Sequence, residues 1–152
     1  MYFWHGKWEG SPDSRNVIMC YSSNPVSKID NATDDLPTSY SLSSQHRFVF
    51  WPEYRGHLYY HIRPHTDTLV VLSLYVDDHY QSLGFGSAIL YFLEHDVIPT
   101  LHGKIRRIQL QVLSMEQERA HNFYLKNGFN DMITTSANGV PTEALYMEKF
   151  VD

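Results

Sequence analysis

Two glycines one residue apart stand where a chain could receive an anion. The segment Gln81-Ser82-Leu83-Gly84-Phe85-Gly86-Ser87 follows an apolar run that ends at Val76 and opens a stretch with helical spacing. A helix N-terminus leaves about four backbone amides without intrahelical partners and carries roughly half a positive charge. A phosphate placed there is met by both. Gly84 and Gly86 put no side chain in the way of a ligand that approaches the backbone. The same pair would also serve a tight turn with close helix packing. Two nucleotide readings fail on the residues. Position 89 is Ile89, where the dinucleotide fingerprint needs a third glycine. No Lys-Ser or Lys-Thr follows the glycines, as a triphosphate loop requires.

Other reactive side chains are scattered. Among nine histidines, His57, His61 and His65 recur every fourth residue. They straddle a strand and a turn rather than one helix face, and no cysteine joins them, so no metal centre is expected. The single cysteine, Cys20, allows no internal disulfide and fits a reducing compartment.

The elements that must position the glycine turn can be read from periodicity. Residues 47–51 (RFVFW) suit a strand, residues 52–56 a turn, residues 57–62 a second strand and residues 63–67 a second turn. Residues 68–76 (TLVVLSLYV) are almost continuously apolar, which predicts a strand buried on both faces. Residues 47–76 thus read as a three-stranded meander. From Gly84 to about His95, Phe85, Ala88, Ile89, Phe92 and Leu93 share one helical stripe, which Pro99 and Gly103 close. Ile105, Ile108, Leu110 and Val112 mark a strand. Ser114-Met115-Glu116-Gln117 forms a capping box for a helix that Asn127-Gly128 ends. Residues 129–135 and 144–150 read as two last strands around Asn138-Gly139. The first 45 residues are rich in Ser, Asn, Asp and Pro, with apolar islands at Tyr2-Phe3-Trp4 and at residues 17–21, and residues 22–45 read mostly as loop.

Composition narrows the class. A length of 152 residues fits one domain, residues 1–152, with an atypical N-terminal segment before a core at 47–150. Apolar residues at 43% suffice for a filled core, and charged residues at 19% argue against disorder. A net charge of −5 disfavours nucleic acid as partner and suits a cationic one. No run approaches the ~20 apolar residues of a membrane span. The N-terminal residues lack the apolar core of a signal peptide, so a cytoplasmic location is expected and Asn31-Ala32-Thr33 reads as a chance glycosylation match.

The order of strand, Tyr80-Gln81, two residues, Gly84, one residue, Gly86 and helix resembles the first hallmark of the GNAT acetyltransferases. A second hallmark is similar to Gln117-Glu118-Arg119-Ala120-His121-Asn122-Phe123-Tyr124, followed by Gly128-Phe129, and the closing Leu145-Tyr146-Met147-Glu148-Lys149 is like that family's last strand. The resemblance covers residues 47–150. It implies an α+β, three-layer fold, with a mostly antiparallel mixed sheet flanked by helices.

It also implies acetyl-coenzyme A as cofactor. The amides from Gln81 through Ser82, Leu83, Gly84, Phe85, Gly86 and Ser87 would hold its pyrophosphate. Leu74, Tyr75 and Val76 would splay from the neighbouring strand, pair with the pantetheine arm and polarise the thioester carbonyl. Tyr124 would be the acid for the leaving thiolate. Gln117 stands where the family has Asn facing the pantetheine. The implied reaction is direct transfer to a primary amine in a ternary complex; Cys20 lies outside both hallmarks, which speaks against an acetyl-cysteine route. Glu53, His61, Asp67 and His65 are candidates for the base, with Ser73 as a relay. The expected acceptor is a small-molecule or peptide amine, with no nucleic acid or membrane partner, in a monomer or homodimer. The alternative is a non-catalytic module of the same fold that binds coenzyme A or a protein.

Overall fold

The two apolar islands near the N-terminus are strands. β1 (Tyr2–Trp8) and β2 (Arg15–Tyr21) pair antiparallel, from Tyr2↔Tyr21 to Trp8↔Arg15. β2 pairs antiparallel with β3 (Tyr54–Ile62). The computed structural model describes residues 1–8, 15–22, 54–101, 103–112, 117–132 and 145–151. They fall into two units, Met1–His61 with Ser73–Thr100, and Ile62–Leu72 with Leu101–Asp152. The strand order is β1-β2-β3, then β4 (Thr68–Val76), β5 (Arg107–Val112), β7 (Leu145–Phe150) and β6 (Asn130–Asp131). Among the described residues no helix is long and apolar enough to cross a membrane.

In the first unit the β2–β3 register carries one irregularity. Cys20 pairs with Gly56 and Tyr21 with Tyr54, one step on β2 against two on β3. Arg55 is therefore the extra residue of a β-bulge. Side chains alternate across a strand. One face gathers Trp4, Val17, Met19, Tyr21 and Tyr54 into a buried cluster, with Tyr2 and Tyr59 against it. Phe3 points the other way and stacks on Phe92 of α1 (Phe85–Phe92), ring centroids 4.4 Å apart. Cys20 is fully buried, and burial pushes its thiol up to about 12.

α1 buries Ile89 and Leu90. Its winding widens over Leu93–Val97, where the Ile98 N–H donates to the Leu93 carbonyl. A 3-10 turn follows at Ile98–Thr100. Pro99 has no N–H to continue the ladder, which stops the helix near the position read from the sequence.

In the second unit, β4 (Thr68–Val76) contributes its first residues. It pairs in parallel with β5 (Arg107–Val112), from Thr68↔Arg107 to Val71↔Leu110. β5 pairs antiparallel with β7 (Leu145–Phe150), and β7 with β6 (Asn130–Asp131). Arg107 ties three strands together. Its Nε and Nη2 donate to Thr68 Oγ1 at 3.2 and 3.1 Å, and its Nη1 lies 3.6 Å from Glu148. α2 (Gln117–Lys126) packs on β5. It closes with Gly128 at φ 91, where the Phe129 N–H donates to the Tyr124 carbonyl and the Gly128 N–H to that of Leu125. These are the two bonds of a Schellman close, as Asn127-Gly128 predicts.

Two expectations change, and two others lie partly outside the described residues. Residues 54–56 belong to β3 rather than to a turn. β3 has β2 and β4 as its neighbours, and residues 47–51, expected as the first strand of a meander, lie outside the described residues. β4 is not buried along its whole length: Thr68, Leu69 and Val71 are buried, but Leu72 is 45% and Tyr75 42% exposed. The reason is that its ladder with β5 stops at Val71. Of the strand expected over 129–135, Asn130–Asp131 is strand among the described residues; residues 133–135 lie outside them, as does Ser114.

Gly56 admits the close approach of β3 to the end of β4. A Cβ there would sit 2.4 Å from the Tyr75 carbonyl oxygen and 3.2 Å from the Val76 Cα, both backbone atoms. Gly56→Ala is expected to cost about 1–3 kcal/mol, as overpacking does, measured by the urea midpoint. An unchanged midpoint would show that the two strands separate there freely.

Candidate active site

β4 ends at Val76, and the chain turns at once. Asp77 donates its N–H to the Arg55 carbonyl at 3.0 Å. Its carboxylate accepts the His79 N–H at 3.1 Å, and its carbonyl accepts the Tyr80 N–H at 2.8 Å. These bonds make a 3-10 turn at Asp78–Tyr80. The Gln81 side-chain amide then donates to the Val76 carbonyl and to Asp78 Oδ1, both at 3.1 Å. Gln81 thus braces the turn with its side chain. The Tyr80 ring is held from two sides, with the Phe85 ring edge-on at 6.2 Å and the Arg55 guanidinium 3.8 Å from its centroid, a cation–π distance.

The backbone beyond is bent into an unusual path. Ser82 has φ 64 and Gly84 φ 89. Gly84 caps α1 with no side-chain hydrogen bond, and the Ala88 N–H is bonded to its carbonyl at 3.0 Å. The amides of Phe85, Gly86 and Ser87 come before that first bond, so no helical carbonyl lies one turn back for them. Ser82, Leu83 and Gly84 are exposed, and a Cβ built on Gly84 meets nothing within 4 Å. Open space, amides without a helical carbonyl and the positive end of a helix are the features that suit an anion.

Just before it, Ser73 and Tyr75 on β4 are exposed and Leu74 and Val76 half-buried. The Tyr75 ring packs at 5.4 Å on His57. His57 is 9% exposed; its Nδ1 is hydrogen-bonded to the Tyr54 hydroxyl, and its ring lies 4.6 Å from that of Tyr59. The sequence raised His57 only as a metal ligand. Among the described residues no three His, Cys, Asp or Glu side chains converge to hold a metal.

In the second unit, Tyr124 on α2 meets Phe123 and Phe129 edge-on at 5.1 and 5.5 Å. Burial pushes its phenol up to about 12, so it is neutral at physiological pH. Gln117 is the first residue of the same helix. His121 Nε2 lies 2.7 Å from Asp131 Oδ1.

The proposed bases do not form a group. His61 is exposed near the end of β3, and His65 is exposed in the following turn at φ 60. Asp67 is exposed; its carbonyl accepts the N–H groups of Arg106 and Arg107, and its carboxylate meets Thr68 Oγ1 at 3.4 Å. These contacts tie Asp67 to the start of β5. Glu53 lies outside the described residues.

A profile of the Acetyltransferase (GNAT) family matches residues 19–129, and the chain belongs to that family. Solved structures show the same fold. The ribosomal-protein-S18-alanine N-acetyltransferase of Escherichia coli superposes with a TM-score of 0.51 at 19% identity, over 66% of this chain and 63% of that one. This chain therefore spans less than two thirds of that relative. Nourseothricin acetyltransferase gives 0.57 at 14% identity, over 94% and 69%. The PaiA N-acetyltransferase of Thermoplasma acidophilum, solved with coenzyme A, gives 0.52 at 22%, over 64% and 54%. No curated protein sequence matches the chain.

Two substitutions test this geometry. Gly84→Ala forces a side chain into the left-handed region and is expected to lower stability by about 1–2 kcal/mol in urea, although nothing crowds the site. An unchanged midpoint would mean that the turn relaxes to another path. Tyr124 holds its proton more tightly folded than unfolded, where tyrosine ionises near 10. The stability this adds is complete below about 10 and is lost as the pH climbs through about 12. Tyr124→Phe should therefore lose less stability across that interval than the parent, and equal slopes would contradict the burial.

Proposed function

We propose that this chain transfers an acetyl group from acetyl-coenzyme A directly to a primary amine, donor and acceptor being bound together. The observation that carries this reading is the exposed, glycine-capped start of α1 directly after the exposed end of β4. Acetyl-coenzyme A, when bound, supplies the thioester and its acetyl group. The residues present fit it. The amides from Gln81 to Ser87 receive the pyrophosphate, because they lie at a helix N-terminus with open space before it. The backbone of Leu74, Tyr75 and Val76 hydrogen-bonds the pantetheine arm, as a strand does with an added partner. An N–H of that segment polarises the thioester carbonyl, in the manner of an oxyanion hole. Gln117 adds a contact to the arm from the start of α2. The coenzyme A seen in the Thermoplasma relative supports the same donor here.

Tyr124 meets the departing sulfur. With its phenol near 12 and thiols ordinarily near 8.5, Tyr124 does not surrender its proton in advance. It donates a hydrogen bond that strengthens as negative charge builds on sulfur, which is where such a donor lowers the barrier. The net negative charge of the chain, −5, suits an acceptor that arrives as an ammonium ion.

Thiol release from acetyl-coenzyme A with a panel of amines tests the reading. Tyr124→Phe is expected to lower turnover by about 10- to 10,000-fold while acetyl-coenzyme A affinity, read by calorimetry, stays near the parent value. Binding of acetyl-coenzyme A without release for any amine would turn the proposal into that of a binding module. Unchanged turnover would remove Tyr124 from the mechanism.

A further inference from the structure

We propose that His57, oriented by Tyr54, is the base that takes the proton from the acceptor amine, which places the acceptor against the aromatic face of β3 beside Tyr75. This rests on the acetyl-transfer reading above.

The reaction needs a group that ionises near neutral pH, is held in one orientation and stands beside the strand that receives the thioester. Among side chains, histidine is the one suited to the first condition. The second is met through the bulge at Arg55. Residues 54 and 57 are three apart, and in an unbroken strand they would point to opposite faces. The extra residue returns Tyr54 to the face of His57 beside Nδ1; in the tautomer the proposal requires, Nδ1–H donates to the Tyr54 hydroxyl oxygen and Nε2 carries the lone pair. Bulges commonly re-aim side chains in this way beside active sites. The third is met by Tyr75, whose ring packs on the imidazole at 5.4 Å and which lies among the three β4 residues assigned to the donor.

Among the described residues, the β2 partner of His57 is Met19, and the phenols of Tyr54 and Tyr59 on β3 and of Tyr75 on β4 lie against its ring. The guanidinium of the adjacent Arg55 lies over Tyr80. None of His61, His65 and Asp67 has this combination of burial and a fixed partner.

The amine nitrogen forms a bond to the carbonyl carbon while the carbon–sulfur bond breaks. Nitrogen arrives as an ammonium ion: its first proton goes to His57 at Nε2, which frees the lone pair for that bond, and its second passes to solvent as the amide forms. The electron pair leaves with sulfur, whose charge meets the Tyr124 hydroxyl. Solvent then returns the imidazole to its neutral form and supplies the proton that remains on the thiol.

Thiol release is measured with acetyl-coenzyme A and spermidine, benzylamine or an Ala-Tyr dipeptide, from acidic to alkaline pH. In His57→Gln, kcat/KM should fall by about 100-fold or more near neutrality, as loss of a general base does. That defect should shrink towards alkaline pH, where the amine is free without help, while acetyl-coenzyme A affinity stays near the parent value. Tyr54→Phe keeps the imidazole and should lose less activity, with the acidic limb of its profile displaced. A His57→Gln defect that is constant across pH, or below about threefold, overturns the base, because a general base contributes more than this. If His57→Gln fails to fold, an undisplaced limb in Tyr54→Phe overturns it. An active parent enzyme with either result leaves the acetyl-transfer reading standing. A parent that binds acetyl-coenzyme A yet releases thiol with none of the amines refutes that reading, and the base with it.

Discussion

Parallel pairing between β4 and β5 runs only from Thr68↔Arg107 to Val71↔Leu110, while β4 itself continues to Val76. Inside the ladder the β4 side chains are mostly buried; from Leu72 onward they are exposed or half-buried. A strand that leaves a neighbour keeps a row of N–H and C=O groups that must find partners elsewhere. A ligand with amide groups of its own can supply them. The phosphate end of such a ligand would be received one turn further along, at the amides before α1. One departure from regular pairing thereby sets both the exposed strand and the direction in which the chain enters the helix.

The departure is held from the β3 side. Gly56 has no Cβ to strike the Tyr75 carbonyl, and the Arg55 carbonyl accepts the first N–H after β4. Arg55 is also the bulge residue, and its guanidinium covers Tyr80 in the following turn. Two neighbouring residues of β3 thus serve the end of β4, the turn and the orientation of Tyr54. On the β5 side, Arg107 keeps the paired part of β4 in place through Thr68 Oγ1 and reaches Glu148 on β7. The buried Thr68 therefore has a hydroxyl partner, as buried polar groups require.

The turn read first in the sequence, residues 81–86, has a sharper meaning in three dimensions. Gln81 is a brace as well as a backbone donor, and the strained Ser82 shows that glycine is not the only residue bent into the left-handed region there. Tyr124 sits in an apolar setting between two aromatic rings, which keeps its phenol neutral. The same physics, removal of water around an ionisable group, makes Cys20 a poor nucleophile.

What the sequence determined by itself is local. The glycine-capped start of α1, its end near Pro99, the Schellman close at Gly128 and the strands at β4, β5 and β7 all follow from residue types over a few neighbours. Side-chain period, missing N–H groups and positive φ act at short range, so they can be read from a string. What only the tertiary structure decided is pairing. It made β2 the partner of β3, stopped the β4 ladder at Val71, and shifted Tyr54 by one residue onto the face of His57. Each outcome depends on which distant strand wins a shared edge. That competition is settled by packing across the whole sheet, and no short stretch of residues carries its result.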